Sequence, residues 1–322
     1  MTTELLKRKL GYTDFEVTAL SFGTMNLKYL PDEEAESLLH KVLDLGINYI
    51  DTSRAYGNSE ERIGRYLSGR RDEIIVATKC GCNPHLDRKG SSHVLTFDRA
   101  TLERNLENSL RALKTDCIDI WQLHGATPEK LIGGPEGEVV EFMQKMKQQG
   151  KVRYIGVSIR HGPKTEPGYP SRYGYECIQE YPDWNVFDLF QIVYGGMVRT
   201  SEELLQDAAD KGAGILVRGV VRDYFDDFPD VFAKAGLDEL LAEGEDRRSF
   251  LIRYALSHPA VSSVLIGTNN QEHLKANVIV ASAGGLEVDR YNEAKKRFET
   301  IGSKPGFFVG GIPAESPMPV SS

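Results

Sequence analysis

Eight short apolar runs rich in valine and isoleucine recur along the chain, with segments of helical pattern between them: VTALSF (17–22), INYI (47–50), EIIVAT (73–78), CIDIWQL (117–123), VRYIGVS (152–158), DLFQIV (188–193), GILVR (214–218) and SSVLI (262–266). Each is continuous rather than alternating, as expected of a parallel strand covered on both faces. The segments between them include DEEAESLLHKVLDLG, ATLERNLENSLRAL, GEVVEFMQKMKQQG, SEELLQDAADKG and RRSFLIRYALSHP. Several carry an acidic first turn and a glycine stop, and Leu102, Leu106, Leu110 and Leu113 form one helical stripe. Strand then helix, about eight times, predicts a (β/α)8 barrel occupying one domain over 1–322, because no linker or compositional break divides it. KRKLGYTDFEVTAL reads as an N-terminal β-hairpin. An extra helix follows the barrel, and the Gly- and Pro-rich tail 302–322 reads as irregular, with Phe307 and Phe308 packing onto the barrel. A doubly wound sheet is the rival fold, but no GxGxxG follows VTALSFGTMNLKY.

The 322 residues are 40% hydrophobic, enough for a substantial core, and the net charge of −8 argues against nucleic-acid binding, which needs basic patches. Cys80, Cys82, Cys117 and Cys177 are too few to staple a chain this long, which fits a reduced compartment. No run approaches the roughly 18 apolar residues of a membrane span, and no targeting segment is visible. The expectation is a soluble, cytoplasmic protein with a small-molecule partner, without membrane or nucleic acid. Cys80 and Cys82 lack a second ligand pair, so no metal site is predicted.

In a barrel of this kind chemistry gathers at the C-terminal ends of the strands. There the chain places Asp51 after the second run, Tyr56 in the loop beyond it, Lys79 after the third and His124 after the fourth. A tyrosine with its ordinary pKa near 10 is a poor acid at neutral pH, but a neighbouring ammonium such as Lys79 stabilises the phenolate. Asp51 would keep Lys79 charged and placed, while His124 would orient a carbonyl oxygen. Such a set protonates an oxygen while a hydride attacks the carbon. Taken singly, each residue reads as a loop, core or packing group; their joint placement carries the prediction.

The ordered segments DTSRAYGNSEERIG, ATKC, DIWQLH and VRYIGVS resemble the signature segments of the aldo-keto reductases, and the likeness runs from KLGYTDFEVTALSFGT to QEHLKANV. The resemblance implies Tyr56 as general acid, Lys79 and Asp51 as its tuning partners, and His124 as the substrate-orienting residue. It also implies a nicotinamide cofactor, with Gly23, Thr24 and Asp51 beside it and Ser158 and Gln191 on its carboxamide. Ile159 stands where many relatives have asparagine, so anchoring would rest on Ser158 and Gln191. Arg218 stands where many carry a stacking aromatic; it either stacks or pairs with the acidic loop that follows. Gly267, Thr268, Asn269, His273 and Asn277, with the helix opening near Gln271, would hold the adenosine end. Lys275 is the only fixed positive charge there, so NADP(H) is expected to be favoured modestly and NAD(H) to bind too, with Glu272 as the residue that would reverse the order.

Three long mouth loops, 81–97, 160–176 and 220–248, would select the substrate. The third mixes Tyr224, Phe225 and Phe228 with Asp223, Asp226 and Asp227, which suits a sugar or hydroxy-ketone. The implied function is NAD(P)(H)-dependent interconversion of a carbonyl and its alcohol. The alternatives are a nicotinamide-binding regulatory protein on the same fold and a metal-dependent barrel hydrolase, which the scattered histidines disfavour.

Overall fold

The computed structural model describes residues 4–81, 95–159, 173–221, 228–308 and 312–313. A hairpin of β1 (Lys7–Lys9) and β2 (Glu16–Thr18) precedes eight parallel strands that close on themselves. They are β3 (Leu20–Gly23), β4 (Tyr49–Asp51), β5 (Ile75–Cys80), β6 (Ile118–His124), β7 (Val152–Ser158), β8 (Leu189–Val193), β9 (Gly214–Arg218) and β10 (Val261–Ile266), with β10 paired to β3. Around them run α1 (Asp32–Asp44), α2 (Ser59–Tyr66), α3 (Arg99–Leu113), α4 (Glu138–Gln148), α5 (Tyr173–Trp184), α6 (Glu202–Asp210), α7 (Phe228–Lys234), α8 (Arg247–Leu256), α9 (Gln271–Ser282) and the additional α10 (Val288–Thr300).

All eight apolar runs supply a barrel strand, with two revisions. The run 17–22 splits: Glu16–Thr18 pairs with the hairpin, and the barrel strand starts at Leu20. The tail is not wholly irregular, because β11 (Phe307–Phe308) and β12 (Ile312–Pro313) form a two-stranded antiparallel pair. The tail is tied to the body by hydrogen bonds: Thr200 Oγ1 donates to the Phe307 carbonyl at 2.8 Å, and Ser303 Oγ donates to the Gly196 carbonyl.

The hairpin closes one end of the barrel. Leu10, Phe15 and Val17 pack against Tyr49, Ile75, Ala77, Ile120, Leu189 and Leu216, which the strands turn inward. Side chains alternate along a strand, so the residue two positions on faces inward at the opposite, C-terminal end. Those next residues are Asp51 after Tyr49, Lys79 after Ala77, Gln122 and His124 after Ile120, Gln191 after Leu189 and Arg218 after Leu216. An apolar floor under a polar mouth is thus one period-2 pattern read upward.

Among the described residues, no helix is long and apolar enough to cross a membrane. Most of loops 81–97 and 160–176 lies outside the described residues, as do Cys82, Asp223, Tyr224, Phe225, Asp226, Asp227 and 314–322. The third stretch is not simply a loop, since it contains α7 and a 3₁₀ turn at Leu237–Leu240.

Candidate active site

Asp51, Lys79 and His124 lie inside their strands rather than beyond them: Asp51 and His124 are the last residues of β4 and β6, and Lys79 is the penultimate residue of β5. Strand geometry, not loop conformation, therefore fixes three of the four predicted groups. Lys79, 1% exposed, donates from Nζ to Asp51 Oδ1 at 2.5 Å and to the Thr52 carbonyl at 2.8 Å. Burial works against its charge, but Asp51 and Tyr56 outweigh that and hold its pKa above the usual lysine value. The ammonium lies 4.9 Å from the Tyr56 ring centroid. His124 meets Tyr56 edge-on, with ring centroids 6.2 Å apart, and its Nδ1 is 3.5 Å from Ser53 Oγ. Tyr56 alone comes from a loop, and it is half-buried while Asp51, Lys79 and His124 are buried. The four predicted residues thus gather around one point of the mouth.

Sequence reasoning missed Gln122, whose Nε2 approaches Asp51 Oδ2 at 3.4 Å. Its signal was present, two residues before His124 on the same strand face. It also missed Ser59, whose hydroxyl ties the Tyr56 carbonyl to that of Thr24.

The ends of β7 and β8 join through a hydrogen bond from Ser158 Oγ to Gln191 Oε1 at 2.6 Å. Gln191 is fully buried, and its Nε2 has no hydrogen-bond partner. A buried amide donor without an acceptor carries a desolvation cost of about 1–3 kcal/mol, which a ligand carbonyl would remove. Ser158 and Gln191 therefore fit a carboxamide. Ile159 is buried and gives no side-chain bond, but its carbonyl accepts from Arg218 Nη2 at 2.9 Å. Arg218 thus spans the end of β8 and is tethered on its far side, while Asp223, Asp226 and Asp227 of the loop that follows it lie outside the described residues.

Thr24 binds the Asp51 carbonyl through both its N–H and its Oγ1, at 3.0 Å each. Gly23 and Gly267 lie back to back: a Cβ on Gly267 would sit 2.8 Å from the Gly23 carbonyl oxygen, so only glycine allows this approach. Asn269 Nδ2 donates to the Asn26 carbonyl, and Asn277 is half-buried on α9. One expectation changes. The opening of α9 does not present its donors freely, because Asn270 Oδ1 accepts from the Glu272 and His273 N–H groups, and the Thr268 hydroxyl accepts from that of Asn270. Lys275 is engaged as well, 2.5 Å from Glu272. Glu33, Glu34 and Ser37 of α1 line, with Asn269, Asn270, Gln271 and Glu272, an open cleft of about 450 Å³.

A closed (β/α)8 barrel with Tyr, Lys, Asp and His converging at its C-terminal mouth defines a class of nicotinamide-dependent oxidoreductases. The family model described as "Aldo/keto reductase family" matches residues 19–222, and the chain belongs to that family. It is 30% identical over 299 residues to the Bacillus subtilis oxidoreductase YqkF, covering 87% of this chain and 92% of that protein. The L-galactose dehydrogenase of Arabidopsis thaliana is 25% identical over 327 residues, covering 93% and 96%. Among solved structures, the holo form of aldo-keto reductase AKR11C1 from Bacillus halodurans matches with a TM-score of 0.78 at 28% identity, over 91% of this chain and 96% of that one. The protein is an NAD(P)-dependent oxidoreductase of the aldo-keto reductase type.

Proposed function

We propose that this enzyme interconverts a small, hydroxylated aldehyde or ketone and its alcohol, with Tyr56 as the acid in reduction and the base in oxidation. The observation that carries the reading is the approach of the buried Lys79 ammonium to the Tyr56 ring while Asp51 holds it from the other side. Tyr56 gives its hydroxyl proton to the carbonyl oxygen, and Lys79 stabilises the phenolate left behind. Asp51 and the Thr52 carbonyl keep Lys79 protonated and aimed. His124, edge-on to Tyr56, donates a hydrogen bond to the same oxygen and fixes which face of the carbonyl is presented. When bound, the nicotinamide supplies or accepts the hydride. Ser158 and Gln191 would hold its carboxamide, Arg218 would stand beside its ring, and Gly23, Thr24, Gly267, Thr268, Asn269, His273 and Asn277 would hold the adenosine end.

Likeness to an L-galactose dehydrogenase over most of both chains supports a sugar-like substrate. For the cofactor, the modest NADP(H) preference expected from sequence loses its margin. Lys275 is paired, Asn270 occupies two of the helix donors, and Glu33, Glu34 and Glu272 add negative charge to the cleft beside them. We place NADH at least level with NADPH. Fluorescence titration with each cofactor, followed by a panel of aldoses, hydroxy-ketones and simple aldehydes, tests the reading. Turnover with hydroxylated carbonyls is expected; tight cofactor binding with no turnover on any carbonyl would favour the regulatory alternative instead.

A further inference from the structure

Tyr56 is the one predicted catalytic group not carried by a strand, so something outside the mouth has to set its place. Between Asp51 and α2 the chain has no regular structure. The start of the loop meets β5 directly, Thr52 N–H donating to the Ala77 carbonyl at 2.8 Å and the Thr52 carbonyl accepting from Lys79, but the bonds nearest the acid, Tyr56 N–H to the Ser53 carbonyl and Ser59 Oγ to the Tyr56 carbonyl, do not reach that strand. The later part of the loop, which carries Tyr56, is attached through Glu60, on the first turn of α2 and 1% exposed. Glu60 Oε2 accepts from Arg54 Nη1 at 2.6 Å, which reaches into the loop two residues before Tyr56. Its other oxygen accepts from Thr78 Oγ1 at 2.6 Å and from Ser109 Oγ of α3 at 2.7 Å. Thr78 precedes Lys79, and alternation turns it outward as Lys79 turns inward. One carboxylate thus links the Arg54 end of the acid's loop to the strand that carries the acid's partner, through the barrel wall. The seat is firm: at Gly64, α2 comes so close to α3 that a Cβ would lie 2.1 Å from the Ala112 carbonyl oxygen.

We propose that Glu60, acting through Arg54, is a positioning residue that sets the Tyr56–Lys79 spacing. Stability alone accounts poorly for an ion pair here, since removing two charges from water roughly cancels their attraction and an uncharged pair of similar volume is often as stable. Rate is another matter, because a displacement of about 1 Å in a reacting group costs on the order of 100-fold.

The inference rests on Tyr56 being the acid, so Tyr56→Phe is measured beside the test. The informative variant is the double replacement Arg54→Met with Glu60→Gln, which removes both charges while leaving an amide to meet Thr78 and Ser109. It should unfold near the wild-type temperature and bind NADH and NADPH as wild type does. Its kcat should fall about 10- to 100-fold, and the tyrosine limb of its kcat–pH profile should move. Arg54→Lys, which keeps the charge, should recover part of kcat and serves equally if the double variant does not fold. Wild-type kcat and pH profile in a folded double variant, or in Arg54→Lys together with Arg54→Met, would overturn the proposal. Loss of kcat in these variants without loss in Tyr56→Phe would instead refute the reading of Tyr56 while leaving the strut assigned to another group of the loop.

Discussion

Among the described residues, two buried ion pairs lie beside tyrosines, and we propose an acid at only one of them. At the mouth Asp51 neutralises Lys79, and the lysine faces Tyr56, which remains half-exposed. Beneath α10, Arg199 and Glu202 pair at 2.5 Å beside Tyr194, Tyr254 and Tyr291. Arg199 also donates to the carbonyls of Lys295 and Ser303, pinning α10 and the tail to the loop after β8. Tyr194 and Tyr291 share a hydroxyl bond of 3.2 Å, and the rings of Tyr254 and Tyr291 are 4.9 Å apart. Here burial drives the phenols upward, with the Glu202 carboxylate adding to it: Tyr194 and Tyr254 lie well above the usual range and Tyr291 is pushed to about 12. Identical residue types thus differ by what lies next to the ring. In the sealed cluster burial and Glu202 raise Tyr254 and Tyr291 although Arg199 opposes them, whereas Tyr56 faces its cation with one side open, the arrangement on which the proposed proton transfer rests.

The largest effect should separate the two tyrosine sites by rate. Tyr56→Phe is expected to cost about 10²–10⁴-fold in kcat while cofactor affinity and melting temperature hold. Tyr291→Phe removes one buried hydroxyl bond, costs about 1 kcal/mol of stability, and leaves kcat unchanged. Near-normal turnover in Tyr56→Phe would break the comparison outright, because the mouth would then hold no acid of the kind proposed.

The second effect is in stability and runs the other way. Arg199→Met leaves Glu202 buried without its closest cation, and breaking such a pair costs about 3–5 kcal/mol. Lys295, 3.7 Å from Glu202, relieves part of that. Denaturant unfolding should show the loss, whereas kcat per folded molecule should match wild type; a fall in kcat matching the loss of stability would mean that α10 and the tail act on the site.

How far sequence alone reaches follows the same division. Strand runs and the mouth groups were legible because a covered parallel strand writes a continuous apolar run, and the period of two then places Asp51, Lys79 and His124. Strand ends were shifted: Thr18 and Leu20 belong to different sheets because the chain turns between them, which an unbroken apolar run conceals. The Glu60 strut was not legible, since Arg54, Thr78 and Ser109 come from three elements and none carries a pattern of its own. Nor was the buried Arg199–Glu202 cluster, where charges that composition assigns to the surface are enclosed by α10. The helix donors at α9 looked available until Asn270 was seen to take them, because a cap residue and a ligand contact look the same in sequence.

The smallest expected effect concerns pH and again belongs to the sealed cluster. His258 is 7% exposed, packs edge-on to Tyr194 with ring centroids 5.3 Å apart, and accepts the Ala260 N–H on Nδ1 at 3.2 Å. Burial lowers its pKa from the ordinary 6.5; Glu202 opposes the shift and Lys295 adds to it, and burial prevails. A histidine depressed in the folded state stays neutral there, while the unfolded chain takes up its proton once pH falls below about 6.5. Its contribution to stability is therefore complete above that value and is lost as pH falls toward the folded-state pKa, with a slope of at most one proton, about 1.4 kcal/mol per pH unit. Asparagine at this position can accept the Ala260 N–H through Oδ1 and does not titrate. Comparing urea unfolding of wild type and His258→Asn at neutral pH and near pH 5 cancels the carboxylates common to both. Wild type should lose more stability than the variant over that interval. Equal losses would show that the cluster tolerates a charged imidazole, and that it is sealed less tightly than its tyrosines require.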